Sequence, residues 1–131
     1  MAACAASEIL APAGAQLTRV GTSLFLAFPR GRDGNPGLFR LDCSGFDAQP
    51  ISVSMVDSDT HEALPMEKWT PGVPHSLHPV TGLPFVCLQG VAEYHSHSSH
   101  TADTWDRYRN TYRVPQLVRR LLEKAGAVAS A

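Results

Sequence analysis

LFRLDCSGFDAQPISVSMVD, residues 38–57, decides the fold because it holds two alternating segments joined by a turn. Residues 38–43 and 51–57 alternate between core-facing and outward-facing positions, as strands with one buried face do. Residues 44–50 contain Gly, Asp and Pro, which favour turns. The stretch therefore predicts two antiparallel strands. The side chains predicted to face the core are Phe39, Leu41, Cys43, Ile51, Val53 and Met55.

The segments on either side extend this pattern. Residues 17–29 end in an apolar run and predict one strand that stops at Pro29. Residues 30–37, rich in turn-forming side chains, predict a long hairpin tip. The three strands would then form an antiparallel meander. Residues 58–84 show little periodicity and several Pro and Gly residues, which predicts an extended, ordered loop.

A helical pattern is clearest in residues 112–126. Pro115 suits the first turn of a helix, and Gly126 suits its end. The apolar residues recur at helical spacing, so the helix is predicted to cover the sheet. They are Val114, Leu117, Val118, Leu121 and Leu122.

Composition fits a single domain at residues 17–126, with an Ala-rich segment 1–16, expected to be a short helix or disordered, and a frayed tail 127–131. Eleven Lys and Arg against twelve Asp and Glu argue against nucleic-acid binding. We expect no membrane partner, because no signal-peptide pattern or long apolar stretch is present. Three widely spaced cysteines predict a protein of the reducing cytoplasm with at least one free thiol.

One of these cysteines, Cys87, lies in HPVTGLPFVCLQG, residues 78–90. Residues 85–88 predict a short, mostly buried extended segment. A thiol on such a rigid edge, with His75 and His78 upstream, is a candidate nucleophile. The same pattern is also typical of an inert core cysteine.

Taken in order, these elements resemble the ubiquitin-conjugating enzyme family and its bacterial relatives over about residues 17–125. GLFRLDC is similar to the family's second strand, and GFDAQPISVSM to the stretch before and within its third. Cys87 stands where the family has the cysteine that carries the ubiquitin thioester. The remaining matches are His78-Pro79, similar to the start of the family's His-Pro-Asn motif, the residues Val86 and Leu88, Trp105, and the helix from Pro115.

The resemblance implies an α+β fold, with an antiparallel meander, helix cover and a long ordered loop that carries Cys87. It also implies a carrier that accepts a ubiquitin-like modifier as a Cys87 thioester from an adenylating activating enzyme. The carrier would pass the modifier to an amine of a target protein, and no cofactor would be required. Among nearby side chains, His78 is a candidate hydrogen-bond donor or proton acceptor, and Asp103 could orient the amine.

The sequence departs from the family in four respects. Val80 stands where the family has the asparagine associated with the oxyanion of isopeptide transfer. The interval from Cys87 to Trp105 is longer than is usual, which indicates an insertion beside the candidate nucleophile. The Ala-rich segment 1–16 replaces a helix that helps to bind the activating enzyme, and one clear helix stands where typical members have more.

A histidine cluster, HSHSSH, lies inside the long interval. Its members are His95, His97 and His100. They could form part of a gate over Cys87 or supply the missing oxyanion donor. A His-x-His pair on an extended chain can also bind zinc or copper, with His100 or Asp103 as a third ligand. The Ser-rich surroundings are equally typical of a solvated loop.

Two other functions follow from the same residues. A catalytically inactive binding module on the same fold would explain the valine at position 80 and the missing helices. A small metal-binding protein or metallohydrolase would be centred on the histidine cluster.

Overall fold

The computed structural model describes residues 10–46, 51–77, 82–88, 91 and 113–128. Within these residues the chain is mixed α+β. The elements whose bounds both lie within these residues are β1 (Gln16–Val20), β2 (Ser23–Phe28), β3 (Gly37–Asp42), β4 (Ser52–Met55), a 3-10 helix (Met66–Lys68), β5 (His75–Leu77), β6 (Pro84–Val86) and α1 (Val114–Ala125). None of the helices in the described residues is long and apolar enough to cross a membrane.

The first four strands form one antiparallel sheet in the order β1-β2-β3-β4. The predicted single strand over residues 17–29 is wrong, because this segment contains both β1 and β2. Val20 pairs with Ser23 across a two-residue turn. Gly21 in that turn has a φ of 61°, a left-handed conformation that glycine adopts without strain. The predicted meander therefore has four strands rather than three.

One face of this sheet and one face of α1 share a single hydrophobic core. The predicted inward side chains of β4 and its flank are confirmed, since Ile51, Val53 and Met55 are each 1% exposed. The buried side chains of β2, β3 and α1 in the same cluster are Leu26, Phe28, Phe39, Leu41, Leu117, Val118, Leu121, Leu122 and Ala125. Burial of these apolar surfaces is the main force that holds the helix to the sheet.

The boundaries of α1 follow the sequence signals closely. Pro115 lies in its first turn, where a missing N–H breaks no helical hydrogen bond. Gly126 ends it with a φ of 75°, and the Gly126 N–H donates to Glu123 O. The predicted helix over 112–126 is thus confirmed, with bounds two residues shorter at the start and one at the end.

Residues 58–84 do not form the predicted loop throughout. They contain the 3-10 helix and β5, and β5 pairs with β6 as a short antiparallel hairpin. Strands of three residues are too short to give a recognisable alternation, which explains why the sequence pattern missed them. Trp69, which lies between the 3-10 helix and β5, is buried, and its Nε1–H donates to Leu64 O at 3.1 Å.

Arg32, in the loop between β2 and β3, caps the C-terminal end of α1. Its backbone N–H donates to Ala125 O at 2.7 Å. Its guanidinium donates from Nη2 to Lys124 O at 3.2 Å and from Nε to Pro71 O at 3.2 Å. A cation at this end also complements the helix dipole. Arg32 therefore ties the β2–β3 loop, the helix end and the segment before β5 together.

Candidate active site

Cys87 follows β6 directly and lies at the end of the β5–β6 hairpin. Its backbone N–H donates to Pro74 O at 2.9 Å, which extends the hairpin ladder by one bond. The residues on either side, Val86 and Leu88, are buried in the main core. The backbone at Cys87 is therefore anchored from both neighbours and from the facing strand, while the residue itself is half-buried. This agrees with the predicted short, mostly buried segment.

Burial determines the acidity of this thiol. Desolvation raises the pKa of Cys87, because the thiolate loses hydration when it is partly enclosed by protein. No hydrogen bond to its Sγ comes from the residues that the structure describes. The thiol is therefore mostly protonated at neutral pH, and little of the nucleophilic thiolate is present.

A raised thiol pKa has two chemical consequences. It slows attack at neutral pH, because only the thiolate attacks. It also makes the same sulfur a poorer leaving group, since thiols of lower pKa leave faster. An acyl group on Cys87 would then be less prone to loss than one on an ordinary exposed thiol. The same shift therefore disfavours both attack by Cys87 and its departure as a leaving group.

His75 is the candidate histidine that the structure describes near this cysteine. It pairs with Val86 in the hairpin, so its side chain lies on the opposite face of the ladder from that of Cys87. Its Nδ1 is 3.1 Å from Val73 O, and its ring centroid is 5.6 Å from that of Trp69. This geometry places His75 against the indole rather than beside the thiol.

The second described cysteine, Cys43, matches its predicted core-facing position. It is a free, half-buried cysteine that packs against the main core, and its Sγ–H donates to Leu41 O at 3.6 Å. Burial, and then the nearby carboxylate of Asp42, raise the pKa of Cys43. Both effects disfavour the thiolate of Cys43.

Most of the other predicted site residues lie outside the residues that the structure describes. They are His78, Pro79, Val80, His95, His97, His100, Asp103 and Trp105. Their roles as proton acceptor, gate, oxyanion donor or zinc ligand stay predictions. Within the described ranges, no group of three or more His, Cys, Asp or Glu side chains could hold a metal ion.

An apolar surface beside the hairpin was missed from the sequence. Met66, Leu77 and Leu83 are large apolar side chains that remain exposed, and they line one cavity of about 380 Å³. Leu77 pairs with Pro84 in the hairpin that leads to Cys87. In the sequence these three residues are isolated apolar positions in a Pro- and Gly-rich stretch, and only the fold brings them together.

A second groove, of about 490 Å³, lies on the sheet face that points away from the core. Its floor includes Phe25 and Leu38, which are buried although they face outward. The ring of His61 covers this end of the sheet, since its centroid is 4.3 Å from that of Phe25. His61 also has a φ of 62°, which is uncommon for a residue with a side chain.

The fold and the site together define an α+β domain that presents a half-buried free cysteine at the end of a two-stranded hairpin. No protein-family model matches this sequence, and no curated protein sequence matches it either.

Proposed function

We propose that this protein is a carrier of the ubiquitin-conjugating type, which holds a ubiquitin-like modifier as a thioester on Cys87 and transfers it to an amine of a target protein. The observation that carries this proposal is the bond from Cys87 N–H to Pro74 O, which fixes a half-buried thiol at the end of a short hairpin. The resemblance of residues 17–125 to that family supports the same conclusion. We place this activity in the cytoplasm.

The fold is consistent with this assignment at the coarse level. A four-stranded antiparallel meander precedes the cysteine hairpin, and α1 packs in the same core as the sheet. The exposed apolar side chains at Met66, Leu77 and Leu83 give the hairpin a surface for protein contacts. A carrier needs such a surface, because it meets an activating enzyme and a target in succession.

The proposed reaction has two steps. In charging, the Cys87 thiolate attacks the carbonyl carbon of the donor thioester, and a bond to Cys87 Sγ forms. The bond from that carbon to the donor's sulfur breaks, and the donor sulfur leaves as a thiolate that takes up a proton. In transfer, an amine nitrogen attacks the same carbon, and Cys87 leaves as the thiolate. The amine nitrogen loses a proton as the amide forms, and the Cys87 thiolate takes up a proton to become the thiol again. The raised pKa of Cys87 slows departure of its sulfur from the intermediate, in hydrolysis and in transfer to the amine alike.

A charging assay tests this proposal directly. The protein is incubated with its cognate activating enzyme, modifier and ATP, and the products are separated on a non-reducing gel. We expect a shift of one modifier that thiol reductant removes, that Cys87→Ala abolishes and that Cys87→Ser makes resistant to reductant. Cys43→Ser is the matched control, because it removes another half-buried thiol, and it should charge normally.

If the cognate activating enzyme is demonstrably active and still gives no shift here, the proposal fails. A binding module on the same fold would then be the better assignment. One observation already favours that alternative, since burial raises the pKa of Cys87 and no described side chain hydrogen-bonds to its sulfur. Modifier binding that gives no covalent shift and is unchanged by Cys87→Ala would identify the binding module.

A further inference from the structure

We infer that the outer edge of β1, with which none of the described residues pairs, is a pairing surface for a second copy of this chain. Such pairing would join two four-stranded sheets into one of eight strands. This inference is independent of the chemistry at Cys87. The two edges of the four-stranded sheet differ in whether the described residues cover them. An unpaired edge exposes a row of backbone donors and acceptors, and proteins usually cover or blunt it.

The β4 edge is covered by later parts of the chain. Leu64 N–H donates to Met55 O at 3.1 Å, on the side of β4 away from β3. An isolated bridge joins Ile51 to Val91, just before β4. In contrast, none of the described residues pairs with the outer edge of β1. β1 also contains neither proline nor a bulge that would blunt it.

The register identifies which backbone groups point outward. Cys43 N–H donates to Thr22 O at 2.9 Å, which fixes the alternation of hydrogen bonds between β2 and β3. The odd-numbered residues of β2 therefore bond to β1, and their partners there are Gln16, Thr18 and Val20. It follows that the N–H and C=O groups of Leu17 and Arg19 point away from β2.

A second copy fits this edge in one antiparallel register, with a two-fold axis at Thr18. Leu17 of one copy then lies opposite Arg19 of the other, so that both pairs exchange two backbone hydrogen bonds. Arginine faces leucine rather than arginine, and the net charge of −1 per chain adds little repulsion. Arg19 Nε–H donates to Gly21 O at 3.0 Å, which holds its side chain at its own turn.

The side chains on the outward face support the same partner. Val20 is 58% exposed, the largest exposed fraction among the large apolar side chains of the described residues. In the two-fold register it lies beside Gln16 of the partner, and the seam runs along the rim of the 490 Å³ groove in each copy. Pairing therefore removes exposed apolar surface as well as unpaired backbone groups.

The test is sedimentation equilibrium under reducing conditions, across the micromolar to millimolar range. One short strand pair makes a small interface, so we expect a weak, reversible dimer. Arg19→Pro removes an outward N–H and leaves the β1–β2 ladder intact, because proline is tolerated on an edge strand with its nitrogen facing solvent. Arg19→Ala is the matched control that removes the same charge but keeps the N–H.

We expect Arg19→Pro to dimerise at least about 10-fold more weakly than Arg19→Ala. Amide hydrogen exchange in the unmodified protein gives a second test, in which exchange at Leu17 and Arg19 slows as protein concentration rises. Three results would overturn the inference. These are a monomer at millimolar concentration, equal dimerisation of the two variants, or slow exchange at both amides in dilute protein.

Discussion

Replacement of Arg32 by alanine tests how the helix is held to the rest of the fold. The change removes the side-chain bonds to Pro71 O and Lys124 O, both 3.2 Å long, and a weaker one to Glu123 O at 3.5 Å. It keeps the backbone bond from Arg32 N–H to Ala125 O. Only the contribution of the guanidinium is therefore lost.

The magnitude follows from these bonds. Because Arg32 is exposed, each of the two shorter bonds contributes about 0.5–1 kcal/mol rather than the larger value of a buried charged bond. The interaction with the helix dipole adds about 0.3–1 kcal/mol. The free energy of unfolding should therefore fall by about 1.3–3 kcal/mol, and Tm by about 4–12 °C. Urea denaturation followed by far-ultraviolet circular dichroism measures the first quantity.

Two further variants separate the geometry from the charge. Arg32→Lys keeps the positive charge but lacks the planar fork that reaches two carbonyl groups, so it should lose about half as much stability. Arg30→Ala is the matched control, since Arg30 is an exposed arginine of the same loop whose side chain bonds to none of the described residues. If Arg32→Ala and Arg30→Ala were equally stable, the capping argument would be refuted.

Three other predictions concern a close contact, a carboxylate and the candidate nucleophile. Gly37→Ala should destabilise the protein by about 1–3 kcal/mol in urea, because its Cβ would lie 2.3 Å from Cζ of the buried Phe28 ring; unchanged stability would contradict this packing. Backbone N–H groups of the following turn lower the pKa of Asp57, so its stabilising effect is present above its unfolded pKa and is lost as pH falls through its lower folded value. Between neutral pH and about pH 3 the urea midpoint should drop further in the unmodified protein than in Asp57→Asn, and equal drops would count against this linkage. Iodoacetamide should modify Cys87 more slowly than a free cysteine at neutral pH, and the rate should still rise above about pH 8.5. Peptide mass spectrometry measures this rate, and a plateau below that pH would rule out the raised pKa.

The parts of the fold that could be predicted are those with a strong local pattern. Ile51, Val53 and Met55 alternate because one face of β4 packs in the core, and Pro115 and Gly126 mark helix ends through their own backbone preferences. Such signals lie within a few neighbouring residues. They therefore remain visible without knowledge of the rest of the structure.

The parts that were missed depend on contacts between distant segments. The apolar run of residues 17–29 concealed the turn at Gly21, although that glycine marks it. Nothing near Arg32 in the sequence indicates that it caps a helix 91 residues later. At the candidate site, the burial of Cys87 could be predicted from its apolar neighbours. Its backbone partner, Pro74, could not, because β5 is too short to give a pattern.

The bonds between Arg32 and α1 have a consequence for the order of folding. They join positions 91 and 92 residues apart, whereas β1 to β4 are linked by consecutive hairpins. Local hairpins close quickly, and contacts at long sequence separation form slowly. We therefore expect the sheet to form before α1 docks. During synthesis its inner face would stay open to water until residues 114–125 have left the ribosome, and that interval is when the chain is most exposed to aggregation.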